Sequence, residues 1–354
     1  NRQSLTEKTC NKLIRVPDGV KIYQKLLTNQ LIIIMRKHLL LKLLFVCFVL
    51  TSPCVKAGNG GYLFAHMRHE DYGRLYYYIS RDAKNWTKLN NNERVVPDYR
   101  GHPDIMKGRD GRYYMIGVSE KTQNPVLWTS RDLVKWKQEK ELSAEPFIHI
   151  EGYFTERAWF GAPKLFYDKD SDQYLITWHA CKTGATGKEE WTSMRTFYIL
   201  TKDFEHFTTP ERLFDFQSEA DREMATIDAI IRKINGTYYA VIKDERWPED
   251  GVPTGKTVRI SHSPNLTGPY TDPGQPVTTP YTYYEAPILM PQPDNNGWMI
   301  FSEKYPHEYV RFQADRMDAE KWDCTDLTIP DSRHGAMVRI SEKEYKKILS
   351  GFKH

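Results

Sequence analysis

The sequence predicts an all-β protein, and within that class a five-bladed β-propeller. Three observations support this prediction: a high content of aromatic residues, a strand phrase that recurs along the chain, and a hairpin signal that precedes it. Aromatic residues make up 13% of the 354 residues, and most are Tyr or Trp, which favour pleated strands. A helical pattern is clear only near the C-terminus, at 342–349.

The recurring phrase is a strand rich in Tyr, Ile and Val that runs into a polar corner and is followed by an aromatic residue. The clearest copies are 78–82 with Trp86 and 128–132 with Trp136. Looser copies are 200–203 with Phe207, 260–263 with Tyr270, and 313–315 with Trp322. Successive copies start 50 to 71 residues apart, a spacing typical of propeller blades with several strands each.

Hairpin signals precede the phrases. Asp110-Gly111 and Asn235-Gly236 each separate two strand-like runs, and such dipeptides favour tight β-turns. An unrelated β-sandwich is the alternative, but ordered copies of both halves of the pattern argue against it. We therefore predict one propeller over 58–354.

An export signal is predicted at 35–57. A short basic stretch precedes the apolar run 39–50, which only Lys42 interrupts, and small residues lead to a cleavage site after Ala57. The run is shorter than the roughly 20 residues of a transmembrane helix. We expect a secreted or periplasmic protein, with 1–34 as upstream sequence translated by mistake.

Charge and cysteine content exclude several classes of partner. The first 57 residues hold ten Lys and Arg against two acidic residues, so the remainder of the chain is mildly acidic. Without a basic run, we expect neither nucleic acid nor membrane as a partner. Only Cys181 and Cys324 follow the signal, and no zinc-binding spacing occurs. We expect a monomer that needs no cofactor and no catalytic metal.

The inner strand of every propeller blade runs beside the central channel, so the starts of these strands should meet. The predicted starts are 101–104, 161–164, 227–229, 284–287 and 333–335. Carboxylates at apolar strand starts are costly unless solvated or paired, which favours a functional site. Paired carboxylates suit glycosidic-bond hydrolysis, and clustering of like charges should raise the pKa of the acid.

At these positions the chain resembles glycoside hydrolase family 43, inverting five-bladed enzymes that include arabinofuranosidases, xylosidases and galactosidases. The resemblance covers 61–350 and rests on 226–229, 284–287 and 333–335. It implies that Glu285 is the general acid and that Asp228 orients this acid and modulates its pKa. It also places His334 near the axis, where the family sometimes binds water or a metal. The implied activity is removal of a terminal sugar from a plant or algal polysaccharide.

The chain departs from the family at the catalytic base. His102 replaces the Asp of the family's Arg-Asp-Pro motif, and Lys164 stands where an acidic residue is usual. Three possibilities remain: His102 is the base, Asp104 replaces or orients it from the same side of an extended strand, or the substrate supplies the group. A non-catalytic carbohydrate-binding propeller and a lyase that uses His102 are the competing functions.

Further polar and aromatic residues are predicted to bind the sugar. They are Lys164, Arg157, Trp159, His179, Lys243, Arg246, Tyr284 and His334. The cations in this set exceed what a neutral pentose requires. The sequence therefore suggests an acidic sugar, such as a uronate or a sulfated residue.

Overall fold

A computed structural model of the chain describes residues 60–153 and 161–352. The upstream extension predicted at 1–34, the export signal predicted at 35–57, and the candidates Arg157 and Trp159 lie outside the described residues. In the described part of the chain, no helix is both long enough and apolar enough to cross a bilayer.

The prediction of a five-bladed β-propeller is confirmed: five antiparallel sheets form the blades. Blade 1 begins with β1 (Gly61–Met67), β2 (Tyr76–Ser80) and β3 (Trp86–Lys88). Blade 2 consists of β4 (Ile105–Lys107), β5 (Tyr113–Val118), β6 (Pro125–Ser130) and β7 (Trp136–Glu141). Blade 3 consists of β8 (Gly161–Asp168), β9 (Gln173–Ala180), β10 (Arg195–Thr201) and β11 (Glu211–Arg212).

The C-terminal part of the chain builds the last two blades and then returns to the first. Blade 4 consists of β12 (Thr226–Ile234), β13 (Thr237–Asp244) and β14 (Val258–Ser263). Blade 5 consists of β15 (Tyr284–Pro291), β16 (Trp298–Lys304), β17 (Glu308–Ala314) and β18 (Asp323–Pro330). The last strand, β19 (Arg333–Ile340), is the inner strand of blade 1.

The ring of blades closes through pairing of the first described strand with the last. β19 pairs antiparallel with β1, from Gly61 opposite Ile340 to His66 opposite Gly335. The inner strands β4, β8, β12, β15 and β19 contact one another in this order, and β19 contacts β4. Five strand starts from distant parts of the sequence therefore surround one axis.

The recurring sequence phrase corresponds to a tight corner after the strand. Asp82 Oδ1 accepts hydrogen bonds from two backbone N–H groups in the corner, both at 2.8 Å. Asp132 and Asp203 make the same pair of bonds at 2.8 to 3.0 Å. An Asp side chain that caps its own turn explains why this phrase repeats.

The hydrophobic core lies between neighbouring blades. Ile116 and Leu127 of blade 2, for example, belong to the same buried cluster as Ile176 and Trp178 of blade 3. Burial of one such side chain contributes roughly 1.5–3 kcal/mol. The blades are thus fixed against each other, which gives the inner strands a rigid frame.

Helices are few and short in the described residues. They are α1 (Glu145–Ile148), α2 (Lys188–Thr192) and α3 (Glu342–Gly351), with 3-10 turns at Asn90–Asn92 and Pro248–Asp250. The C-terminal helix that the sequence predicts is α3. Ser341 and Glu344 form a capping box at its start, which satisfies its first backbone N–H groups.

Candidate active site

Three inner strands carry a β-bulge at their start. In β8, β12 and β15, two residues stand opposite one residue of the neighbouring strand. One residue of each bulge has a positive φ: Ala162 at 40°, Asp228 at 51° and Ala286 at 47°. A non-glycine residue in this region costs on the order of 1 kcal/mol or more. Strain repeated in three blades at the same place marks these strand starts as a candidate site.

Side chains from the starts of the inner strands, and from the ends of the second strands opposite them, form one buried group, which we call the mouth. Its members are Arg333 and His334 of blade 1, His102 before blade 2, Lys164 and His179 of blade 3, Asp228 and Lys243 of blade 4, and Glu285 and Glu303 of blade 5. None of these residues is more than 9% exposed. Nine buried polar side chains in one place need mutual compensation or a ligand.

Glu285 lies at the centre of the acidic part of the mouth. Its Oε2 is 3.0 Å from Lys243 Nζ, and its Oε1 is 3.0 Å from Arg333 Nη2 and 3.1 Å from His334 Nε2. Burial favours protonation, but Lys243 and His334 outweigh it and hold the pKa of Glu285 well below its usual range. The expectation of a raised pKa for this acid is therefore wrong for the free site, in which Glu285 is a carboxylate.

Glu303, which the sequence analysis missed, carries the raised pKa instead. It is fully buried and accepts hydrogen bonds from Arg333 Nε at 2.6 Å and from the backbone N–H of His334 at 2.8 Å. Burial and the charge of Glu285 raise the pKa of Glu303, against the opposing effects of His334 and Arg333. Repulsion between like charges therefore does raise a carboxyl pKa in the mouth, but the residue affected is Glu303 and not the predicted acid Glu285.

Strand register gives the signal that could have found Glu303. Glu303 stands directly opposite Glu285, the residue that begins the bulge of β15. Lys243 stands opposite Ile227, and His179 stands opposite Gly161, at the matching places of blades 4 and 3. The second strand of each of these blades therefore contributes one polar side chain to the mouth.

A chain of ion pairs continues outward from Lys243. Lys243 Nζ is 2.5 Å from Glu245 Oε2, and Lys256 pairs with the other oxygen of Glu245. Burial alone would lower the pKa of Lys243, but Glu285 and Glu245 raise it above its ordinary value. Glu245, which no local sequence pattern indicates, therefore helps to keep Lys243 charged, and Lys256 compensates the other oxygen of Glu245.

Asp228 connects blade 4 to the bulge of blade 5. Its Oδ2 accepts a hydrogen bond from the backbone N–H of Ala286 at 3.0 Å, directly after Glu285. Its Oδ1 is buried and has no hydrogen-bond partner in the described part of the chain. Asp228 therefore fixes the backbone that carries Glu285 and keeps one oxygen available for a ligand.

His334 lies between the acidic residues and His102. Burial lowers the pKa of His334, but the charges of Glu303, Asp228 and Glu285 outweigh burial and raise it. Its ring lies 4.1 Å from the ring of His102, centroid to centroid. Because its pKa is raised, His334 favours the protonated form and holds a proton next to Glu285.

His102 has a different environment from His334. Its Nε2 is 2.7 Å from the hydroxyl of Tyr72, a residue that the sequence analysis missed, and its Nδ1 has no partner in the described residues. Burial, followed by His334, Lys164 and His179, holds the pKa of His102 well below its usual value. His102 is therefore neutral in the free site.

Asp104 does not orient His102. Its Oδ2 accepts a hydrogen bond from the backbone N–H of Leu165 at 2.6 Å, which connects blade 2 to blade 3. The expectation assumed an extended strand through 102–104, but β4 begins only at Ile105, so strand alternation does not apply. Asp104 therefore connects the start of blade 2 to β8 of blade 3.

The blade 3 side of the mouth contains Lys164 and His179. Burial, with smaller contributions from His334, Lys243 and Lys164 and against the opposing charge of Asp228, lowers the pKa of His179 to about 4. A Cβ on Gly161 would lie 1.9 Å from His179 Nε2, so glycine is needed there. Lys164 is 5% exposed and has no ion-pair partner among residues 60–153 and 161–352.

Two predicted sugar-binding residues lie elsewhere. Tyr284 is 4% exposed and packs edge-to-face on Phe312 in the core, because it alternates with Glu285 along β15. Arg246 is bound by Asp244 and Asp221, at 2.7 and 3.0 Å. Tyr284 is therefore a core residue, and Arg246 is held in an ion-pair group with Asp244 and Asp221.

Two groups of residues in the mouth could hold a metal ion. They are His102, Asp228 and His334, and Glu285, Glu303 and His334, each with donor atoms within 4.8 Å of one another. In the first group His102 Nδ1, Asp228 Oδ1 and His334 Nδ1 are all buried without a partner in the described residues. Two imidazoles and one carboxylate suit a zinc-type ion, or a water molecule, better than calcium.

Comparisons with known proteins agree with this architecture. The family model described as "Probable glycosyl hydrolase domain", related to glycoside hydrolase family 43, matches residues 59–346. An α-L-arabinofuranosidase of Bifidobacterium longum is 24% identical over an alignment of 263 residues, and the match covers 62% of this chain but only 24% of that protein.

Solved structures with a similar course of the chain include two glycoside hydrolases. An α-L-arabinofuranosidase from Lactobacillus brevis has 16% identity and a TM-score of 0.46, over 65% of this chain and 73% of that chain. An exo-β-1,3-galactanase from Clostridium thermocellum has 14% identity and a TM-score of 0.48, over 67% of this chain and 50% of that chain. Since the family model spans nearly all of the described propeller, the chain belongs to the family of glycosyl hydrolase domains related to glycoside hydrolase family 43.

Proposed function

We propose that the protein is an exported glycoside hydrolase that removes a terminal sugar from a plant or algal polysaccharide with inversion at the anomeric carbon. Membership of the family supports hydrolysis, and the sequence pattern at 35–57 supports export. One observation carries the site assignment: Glu285, whose side chain is 11% exposed, is more accessible than the carboxylates of Asp228 and Glu303 at 1% and 0%.

Glu285 acts as the proton donor to the leaving oxygen. It is ionised in the free site, so it must first receive a proton. His334 Nε2 is 3.1 Å from Glu285 Oε1 and has a raised pKa, which makes it the proton source. Transfer from Nε2 to Oε1 yields a neutral imidazole and a protonated acid, which then protonates the glycosidic oxygen.

Asp228 and the cations position the acid. The bond from the Ala286 N–H to Asp228 fixes the backbone next to Glu285, and Lys243 and Arg333 fix its two oxygens. The unpartnered oxygen of Asp228 is available to accept a hydrogen bond from a sugar hydroxyl. These contacts hold the reacting groups in one geometry, which is a large part of enzymatic rate enhancement.

His102 is the group that takes a proton from the attacking water. Its lowered pKa keeps it neutral, and its Nε2 lies against the Tyr72 hydroxyl. When Nε2–H donates to Tyr72, the unpartnered Nδ1 carries the lone pair that accepts the proton. The water oxygen then bonds to the anomeric carbon as the glycosidic bond breaks.

The residues His102, Asp228 and His334 also suit a bound ion, since three of their polar atoms are buried without partners in the described residues. A zinc-type ion held there would lower the pKa of a bound water molecule. A water molecule in the same place would satisfy the same atoms. With an ion bound, Nδ1 of His102 and Nδ1 of His334 would be its ligands, so the proton transfers described above belong to the site that holds a water molecule.

A substrate screen tests the proposed function. The purified protein is incubated with aryl glycosides and with digests of plant and algal polysaccharides. Release of reducing sugar without ultraviolet absorbance is the expected result. Absorbance of an unsaturated product would instead show a lyase, and binding of oligosaccharide without any product would show a carbohydrate-binding propeller.

A further inference from the structure

Three lysines are buried in the part of the chain that the structure describes, and one of them differs from the others. Lys243 pairs with Glu285 and Glu245, and Lys256 pairs with Glu245. Lys164 is 5% exposed, yet within residues 60–153 and 161–352 no carboxylate lies within ion-pair distance of it. An uncompensated buried ammonium group is unfavourable unless a ligand supplies the opposite charge.

We propose that Lys164 and His179 form a subsite for the negatively charged substituent of an acidic sugar, either the carboxylate of a uronic acid or a sulfate ester. This inference specifies the substrate class of the proposed hydrolase and rests on that function only in placing the anion on a sugar. Both residues belong to blade 3, at the end of the mouth where the bulge of β8 begins.

His179 supplies the second contact. Its side chain has no hydrogen-bond partner among the described residues. His179 stands opposite Gly161, whose lack of a side chain leaves room for the imidazole ring. A neutral imidazole donates one N–H, and Lys164 adds up to three N–H donors. Together they match the several acceptor oxygens of a carboxylate or a sulfate.

The distribution of charge in the mouth favours this end for an anion. The carboxylates Asp228, Glu285 and Glu303 lie in blades 4 and 5, where an added anion would be repelled. Lys243 and Arg333 are already bound to carboxylates there. An acidic sugar with its leaving oxygen at Glu285 therefore gains most by directing its charge towards Lys164.

Equilibrium binding of monosaccharides tests the subsite without requiring turnover. Isothermal titration compares glucuronate and galacturonate with their uncharged methyl esters, and galactose 6-sulfate with galactose. A charge-assisted hydrogen bond contributes about 1.5–3 kcal/mol, so an acid should bind about 10–100-fold more tightly than its uncharged partner. Carboxylate and sulfate arms identify which anion the subsite takes.

Variants separate the subsite from general electrostatic attraction. Lys164→Met should abolish the preference for the acid, and Lys164→Arg should keep it. Lys140→Met is the matched control, because Lys140 lies on the outer strand β7, where it pairs with Glu205. Circular dichroism melts of each variant show whether it is folded.

Several outcomes would overturn the subsite. Equal affinity for acid and uncharged partner in the parent protein would do so, as would a preference that survives in folded Lys164→Met or is lost in folded Lys164→Arg. Hydrolysis of neutral glycosides with no acid preference would reject the subsite but keep the proposed function. Selective binding of acids without hydrolysis of any glycoside would keep the subsite and reject the function.

Discussion

The mouth has two halves that differ in how their charges are compensated. The carboxylate half contains Asp228, Glu285 and Glu303 together with Lys243, Arg333 and His334, and close contacts connect most of its members. The histidine half contains His102, Lys164 and His179, in which the described residues provide no carboxylate partner within ion-pair distance.

The two halves affect the pKa values of His334 and His102, whose rings lie against each other, in opposite directions. Nearby carboxylates raise the pKa of His334, whereas burial and nearby cations lower the pKa of His102. One ring thus holds a proton and the other can accept one. An inverting hydrolase requires a proton donor and a proton acceptor on opposite faces of the sugar, and in the proposed reaction these are Glu285 and His102.

The largest effect is expected at the centre of the carboxylate half. Glu285→Gln keeps the shape of the side chain but cannot deliver a proton, so kcat should fall about 10²–10⁴-fold. Binding of the released sugar should remain measurable by titration. The control is Glu308→Gln, because Glu308 lies on β17 with its side chain 32% exposed. Activity of Glu285→Gln within a few-fold of the parent would reject the assignment of the acid.

Removal of a buried cation from the same half should reduce stability. Lys243→Met leaves Glu245 and Glu285 each without one partner, and loss of one member of a buried pair typically costs 3–5 kcal/mol. We expect a loss of about 3 kcal/mol in the free energy of unfolding, because Arg333, His334 and Lys256 still contact these carboxylates.

Urea unfolding measures this loss against the surface variant Lys140→Met, which should change stability by less than about 0.5 kcal/mol. A loss below about 1 kcal/mol in Lys243→Met, comparable to that of an exposed pair, would show that the ion pairs of the carboxylate half do not support the fold.

In the histidine half, His102→Asn should lower kcat/KM about 10²-fold, the lower end for a general base. The acidic limb of the profile for the parent should lie below pH 6.5, because the pKa of His102 is held well below that value. His206→Asn, at an exposed corner, is the control. A limb centred near 6.5 would contradict the buried, neutral His102.

Asp104→Asn separates the alternative base from His102. Because Asp104 bonds the backbone N–H of Leu165, this change should lower stability and leave the pH profile unchanged. Full activity of His102→Asn together with an inactive, folded Asp104→Asn would instead make Asp104 the base.

The smallest effect concerns stability against pH, and its sign should differ between the halves. The pKa of His179 is lowered to about 4, so its contribution is present above its ordinary 6.5 and is lost as the pH falls towards 4. The pKa of His334 is raised, so its contribution is present below 6.5 and is lost as the pH rises through the folded value.

Urea unfolding of His179→Gln and His334→Gln between pH 4 and 8, with a chelator present, measures both contributions. Relative to the parent, the loss of stability in His179→Gln should grow as the pH rises from 4 to 6.5, and that in His334→Gln should shrink as the pH rises above 6.5. Equal slopes of the same sign for the two variants would show that the halves do not differ electrostatically.

The sequence allowed the fold to be predicted because each blade repeats a local signal. Asp82, Asp132 and Asp203 cap their corners through backbone N–H groups only a few residues away. Strand starts could be aligned from these signals, which brought residues as distant as His102 and His334 into one site. These signals are local and recur in several blades, so they can be recognised in a single sequence.

Other parts of the site depended on features that no local pattern carries. Glu303 enters through its register opposite Glu285, and Tyr72 through a loop that reaches His102. The direction in which the pKa of Glu285 is shifted depends on the balance between burial and two cations, Lys243 and His334, from two other blades. The sequence pattern predicts an extended strand through 102–104, but β4 begins only at Ile105.

The proposed hydrolysis requires that the two halves of the mouth act from opposite sides of the scissile bond. Time-resolved proton NMR of the first sugar released by the parent protein tests it most directly, because it reads the anomeric configuration before mutarotation. An inverted anomer is expected when Glu285 protonates the leaving oxygen and His102 directs water to the other face. A retained anomer, or an unsaturated product, would contradict it.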